Sequence, residues 1–115
     1  MKAYTDIEQS KKLAEILPIE SADMYYTCGD IAPDVMVGCK QDYMCYTICW
    51  SLAALLDVLP LVETHKQTDG HKIYYYVDLY MKRKGKEIYL STERHESLVD
   101  ACYEMIIKLS ELKLL

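Results

Sequence analysis

Tyr74, Tyr76 and Tyr80 occupy even positions of one alternating stretch, and Tyr89 follows across a turn. Alternate residues of a strand point to the same face. These four rings are therefore expected to share the side of a sheet away from Val77 and Leu79, with Lys72 and Lys82 close by. Such a surface suits two chemistries. Aromatic rings flanked by ammonium groups can stack the bases of a single-stranded nucleic acid while the lysines meet phosphates. Tyrosine is also enriched where proteins meet, because it buries a large ring and keeps a hydroxyl for the wet rim. The competing reading is structural: another part of the chain covers the rings, with the segment from Ile19 to Thr47 the natural candidate.

Thiols and imidazoles are the next groups with chemistry. The chain has Cys28, Cys39, Cys45, Cys49 and Cys102, with His65, His71 and His95. Cys45 and Cys49 could meet at the start of a helix, and a histidine could add nitrogen. Tetrahedral zinc needs four converging ligands, however, and the usual paired Cys-x-x-Cys spacing is missing. A Cys–His nucleophile can arise from these numbers by chance alone. His95, between Arg94 and Glu96, lies in the loop before the last helix, where a lone histidine is usually solvated. The glycines are scattered, so no phosphate loop is present, and no serine-hydrolase, zincin or paired-carboxylate signature is found. The balance favours a protein that is not an enzyme. No residue is assigned a catalytic or metal-ligating role, and no cofactor is expected. The run Lys82-Arg83-Lys84-Gly85-Lys86 could meet phosphates, but it reads more simply as a solvated hairpin tip whose charges discourage edge pairing.

The elements that must position these groups are legible in part. From Ile73 to Met81 the odd positions are mostly apolar, which is a strand lying on a core. A two-residue turn at Lys84-Gly85 would set Lys82 opposite Glu87, Met81 opposite Ile88, Tyr80 opposite Tyr89 and Leu79 opposite Leu90. Apolar then meets apolar and charge meets opposite charge, which argues for that register. Leu61 to Lys66 is a further strand, joined through a turn at Thr68-Asp69-Gly70, with its register open. Short strands are expected within 22–26, 35–37 and 43–46.

Three helices complete the set. Thr5-Asp6-Ile7-Glu8 reads as a capping box with Thr5 as the cap, and Pro18 ends that helix. The central helix begins between Thr47 and Leu52 and stops before Pro60. Between Leu52 and Leu59 only Asp57 is polar, so this helix is expected in the interior, with Trp50 as an anchor. In the last helix, Leu98, Cys102, Met105, Leu109 and Leu112 form one stripe behind a Ser97 cap. Leu52, Leu55, Leu56, Leu59, Leu98, Cys102, Met105 and Leu109 are the expected core.

The chain of 115 residues reads as a single domain, 1–115, of globular composition. Its formal net charge is -5, which weighs against nucleic acid or an anionic membrane as the main partner. No apolar run approaches a membrane span, and the first residues lack an apolar signal region, so a cytoplasmic location is expected.

Three stretches, Tyr4 to Pro18, Cys49 to Leu56 and Asp100 to Ile106, together resemble a family of short uncharacterised proteins from gut anaerobic bacteria and their prophages or mobile elements. The resemblance implies an accessory cytoplasmic role and carries no activity, cofactor or functional residue.

The expectation is an α+β fold. An antiparallel sheet of three to four strands packs against about three helices, arranged in a single layer mainly on one face. The leading function is a non-enzymatic binding or interaction module, meeting a protein partner or a second copy of itself, that uses Tyr74, Tyr76, Tyr80, Tyr89, Lys72 and Lys82. The alternatives are a single-stranded nucleic-acid-binding module and a small Cys/His metal-binding protein or enzyme.

Overall fold

A computed structural model describes residues 2–26, 35–37 and 47–115. The chain is α+β. The described strands divide between two antiparallel three-stranded sheets, where one sheet of three to four strands was expected.

Helix α1 spans Ile7–Ala14. Its cap is Asp6, one residue later than predicted. The Asp6 carboxylate accepts the Gln9 N–H at 2.8 Å, and the Gln9 side chain accepts the Asp6 N–H at 3.1 Å. Thr5 cannot serve because its hydroxyl is engaged elsewhere. It is fully buried, lies 2.8 Å from the Ser10 hydroxyl and accepts the Trp50 N–H at 3.1 Å. Pro18 then leads into a 3-10 turn at Ile19–Ser21.

The first sheet has β1 (Met24–Tyr26) at its centre, between β2 (Val35–Val37) and β3 (Thr47–Cys49). The first two fall inside the predicted segments. The strand expected over 43–46 lies outside the described residues. Thr47–Cys49, expected as the approach to the central helix, is a strand. Tyr25 pairs with Ile48 and Tyr26 with Thr47, a use that suits β-branched side chains.

Ser51 caps helix α2, Leu52–Val58, by accepting the Ala54 N–H at 3.2 Å. Asp23 secures the cap, accepting from the Ser51 hydroxyl and, at 2.9 Å, from its N–H. Helix α2 has a solvent side, contrary to the expectation of an interior helix. Ala54 and Leu55 are buried, whereas Ala53, Leu56 and Asp57 are exposed, Leu56 by 37%. An apolar composition permits burial on every side, but only as many sides are buried as have neighbours. Trp50 is fully buried, as expected, and its indole N–H donates to the Ser21 hydroxyl at 2.9 Å.

The second sheet is β4 (Val62–Thr68), β5 (Ile73–Arg83) and β6 (Lys86–Ser91), with β5 in the middle. The β5–β6 register is the predicted one at all four pairs. Lys84 and Gly85 both have positive φ, 52° and 78°, as a two-residue hairpin turn requires. The β4–β5 register sets Val62 opposite Leu79 and His65 opposite Tyr76. Its loop is held by the Asp69 carboxylate, which accepts the N–H groups of His71 and Lys72, each at 2.9 Å.

Beyond β6 the chain continues beside β5. Thr92 donates to the Val77 carbonyl, and Tyr75 and His95 exchange backbone hydrogen bonds of 2.6 and 2.8 Å. Between the Asp78–Ser91 and Tyr75–His95 pairs this strand spends one residue more than β5. That extra residue acts as a bulge, which re-aims side chains.

Helix α3, Leu98–Glu111, is capped by Ser97. It packs on β5 and on α2. Val77 and Leu79 join Leu55, Cys102, Met105, Ile106 and Leu109 in one core cluster that also holds Leu13 and Trp50. Of the predicted core residues, Leu52 and Leu98 are half-buried, at its margin. No helix among the described residues is long and apolar enough to cross a membrane.

Candidate interaction face

Helix α3 packs on the β5 side that carries Val77 and Leu79. The opposite side is assembled by the two registers. Tyr80 stands beside Tyr89, Asp78 between Glu63 and Ser91, and Tyr76 beside His65. Leu61, immediately before β4, extends the Tyr80–Tyr89 row and is 94% exposed. Tyr80 and Tyr89 are 59% and 66% exposed; most of the 19–47 segment expected to cover the rings lies outside the described residues. Tyr74 and Tyr76 are half-buried.

A groove of about 420 Å³ runs along this face, lined by Leu61, Val62, Glu63, Asp78, Tyr80 and Tyr89. Asp78 is its most sheltered charge, with 18% of the side chain exposed. One oxygen accepts the Ser91 hydroxyl at 2.6 Å. The other lies 3.1 Å from His65 Nε2, with Glu63 at 3.6 Å from the same nitrogen. These distances suit an ion pair when the imidazole is protonated. The alignment does not make a hydrogen bond, and Nε2 is buried without one. The His65 ring is stacked on Tyr76. The Asp78 charge pushes the Tyr89 phenol above its ordinary value, and a hydrogen bond with Glu87 raises that of Tyr80.

The six residues predicted for this surface do not form one patch. Tyr76, Tyr80 and Tyr89 are together. Lys72 precedes β5, at the far end of the strand, and its ammonium pairs with Glu96 at 3.1 Å. Lys82 stands opposite Glu87 at the hairpin end. At about 3.3 Å of rise per residue, the two lysines are separated by nearly the whole strand. Tyr74 lies towards the Lys72 end, opposite Gln67. Sequence reading missed His65, Glu63 and Leu61 because they enter only through the open β4–β5 register. Asp78 carried a signal: it is the one carboxylate at an even position within the tyrosine run.

His95 belongs to a different surface. Its Nε2 lies 2.8 Å from Glu104, which also pairs with Lys108 at 3.2 Å. Beside it, Lys2 reaches Asp100 at 2.7 Å and Gln9 at 2.9 Å. These groups satisfy one another and tie the N-terminal segment and the loop before α3 to that helix. Cys49 and Cys102 are buried free thiols, pushed up by burial to about 12 and about 11. Cys28, Cys39 and Cys45 lie outside the described residues. Among the described residues, no three His, Cys, Asp or Glu side chains are grouped to hold a metal. The basic turn gains Lys113 as a neighbour: Arg83, Lys84, Lys86 and Lys113 surround a shallow surface with Ile88 and Leu114.

Comparison with protein-family models, curated proteins and solved structures gave no match.

Proposed function

We propose that this chain is a non-enzymatic, cytoplasmic interaction module that engages a protein partner through the outer face of the β4–β5–β6 sheet. The observation that carries this reading is the exposed Tyr80–Tyr89 pair beside the almost fully exposed Leu61. Large aromatic and aliphatic side chains gathered around a groove, rather than scattered singly, are what association buries. Charge supports protein over nucleic acid as the partner. The tyrosines share their face with Glu63, Asp78 and Glu87, while the two flanking lysines stand at opposite ends of β5 near carboxylates of their own. An accessory role, as the resemblance of the chain's ends and central helix implies, fits a module without chemistry of its own.

The test is selection from a random peptide library displayed on phage, followed by binding measurements on Tyr80→Ala and Tyr89→Ala proteins. The reading expects enriched peptides whose binding each substitution weakens at least about tenfold, a loss of about 1.4 kcal/mol. Tyr74→Ala, away from the groove, should leave them unchanged. Binding indifferent to Tyr80 and Tyr89 would remove this face as the interaction site.

A further inference from the structure

We propose that the groove beside Tyr80 and Tyr89 receives a cationic side chain, an arginine above all, from a basic segment of the partner protein. This rests on the interaction reading above and specifies its guest. The groove combines two features that recognise a cation. The first is aromatic: Tyr80 and Tyr89 present exposed rings from adjacent strands, and a cation over such a ring is attracted by its quadrupole. The second is anionic: Glu63 and Asp78 lie across from each other on β4 and β5 and line the same groove. Among the described residues no lysine or arginine pairs with either carboxylate; His65 is the one basic side chain beside them, and the Asp78 carboxylate otherwise meets the hydroxyls of Ser91 and Tyr89.

The arrangement favours arginine over lysine. A guanidinium is planar, stacks on aromatic faces and presents a fork of donors to carboxylates, whereas an ammonium is a compact, strongly hydrated charge. Ser91 occupies one oxygen of Asp78, which fixes the carboxylate while leaving the oxygen that faces His65 for a guest. Leu61 provides an apolar wall for the guest's aliphatic stem. Among the described residues, Lys82 on this face stands opposite Glu87 at the hairpin end. Lys72 is bound to Glu96, and Arg83, Lys84 and Lys86 gather with Lys113 around a different surface.

The same phage-displayed random library supplies the probe. Enriched peptides should carry a basic residue. Exchanging its arginine for citrulline, a neutral isostere, should weaken binding about tenfold or more. Asp78→Asn and Glu63→Gln should each weaken the arginine peptide and narrow its advantage over the citrulline form. The citrulline exchange leaves the protein untouched, so a folding defect cannot imitate it. Peptides that depend on Tyr80 and Tyr89 but contain no basic residue, or bind equally as citrulline forms, would overturn the cation and leave the interaction face standing. Binding indifferent to both tyrosines, or no enrichment at all, would remove the face and the cation together. Light scattering separates a second copy as occupant: salt-sensitive self-association abolished by both Asp78→Asn and Arg83→Gln would assign the groove to another molecule's basic turn and overturn the external partner.

Discussion

The imidazole of His65 lies nearly parallel to the ring of Tyr76, with centroids 4.5 Å apart and planes 13° from each other. The two residues are direct cross-strand partners on β4 and β5. Their pairing puts Glu63 opposite Asp78 and so creates the acidic side of the groove. A slip of one residue would turn His65 and Glu63 to the other face of the sheet.

The stacked pair should therefore be energetically coupled. A double-mutant cycle with His65→Ala and Tyr76→Ala, read by urea unfolding, should return an interaction of about 0.5–1.5 kcal/mol. Additive single losses would mean that the stack does not help to set the register.

Adjacent leucines of α2 should differ sharply. Leu55 is fully buried and Leu56 is 37% exposed. Leu55→Ala should cost about 2–5 kcal/mol, the range for a buried leucine that leaves a cavity. Leu56→Ala should cost markedly less, because the solvent side leaves no closed cavity. Equal shifts of the urea midpoint would show that both are enclosed in solution.

Stability should fall in acid, partly through Asp100 and Glu104. Burial works to raise both carboxyls. For Asp100, hydrogen bonds from Lys2 and Gln9 outweigh burial; for Glu104, those from His95, the Glu93 N–H and Lys108 do so. Both are thus held below their ordinary values when folded. A depressed carboxyl contributes stability that is present above its unfolded value, about 3.9 for Asp and 4.3 for Glu. That contribution is lost as pH falls through the lower folded value. Asp100→Asn and Glu104→Gln should destabilise the protein near neutrality and converge on the parent in strong acid. Unfolding midpoints across pH test this, and curves that stay parallel down to acid would refute it.

Cys49 and Cys102 should resist alkylation in the native protein at neutral pH. Both are buried, with thiols raised to about 12 and about 11, and the thiolate is the reactive form. Site-resolved mass spectrometry after iodoacetamide should find both unmodified in buffer and modified in denaturant. Rapid native labelling of Cys102 would contradict its place on the buried side of α3.

The parts of the fold legible in the sequence are those encoded by neighbours along the chain. The β5–β6 hairpin followed from period two and a two-residue turn, because a tight loop leaves one register in which apolar meets apolar. The stripe of α3 followed from spacings of three and four, with Leu112, the C-cap, exposed. The cap of α1 was misplaced by one residue for a long-range reason: Trp50 claims the Thr5 hydroxyl. Thr47–Cys49 reads locally as a helix approach because nothing nearby in the chain reveals that Met24–Tyr26 pairs with it.

The candidate site divides in the same way. Alternation by itself placed Tyr76 and Tyr80 on one strand face, and the hairpin added Tyr89. Only the tertiary structure decided that Tyr80 and Tyr89 stay open, that Lys72 turns to Glu96, and that β4 delivers Leu61, Glu63 and His65 beside them. Periodicity determines the direction of a side chain relative to its own strand. Exposure and charge pairing depend on which segments arrive from elsewhere, and the four-residue loop between β4 and β5 leaves that arrival to packing rather than to local geometry.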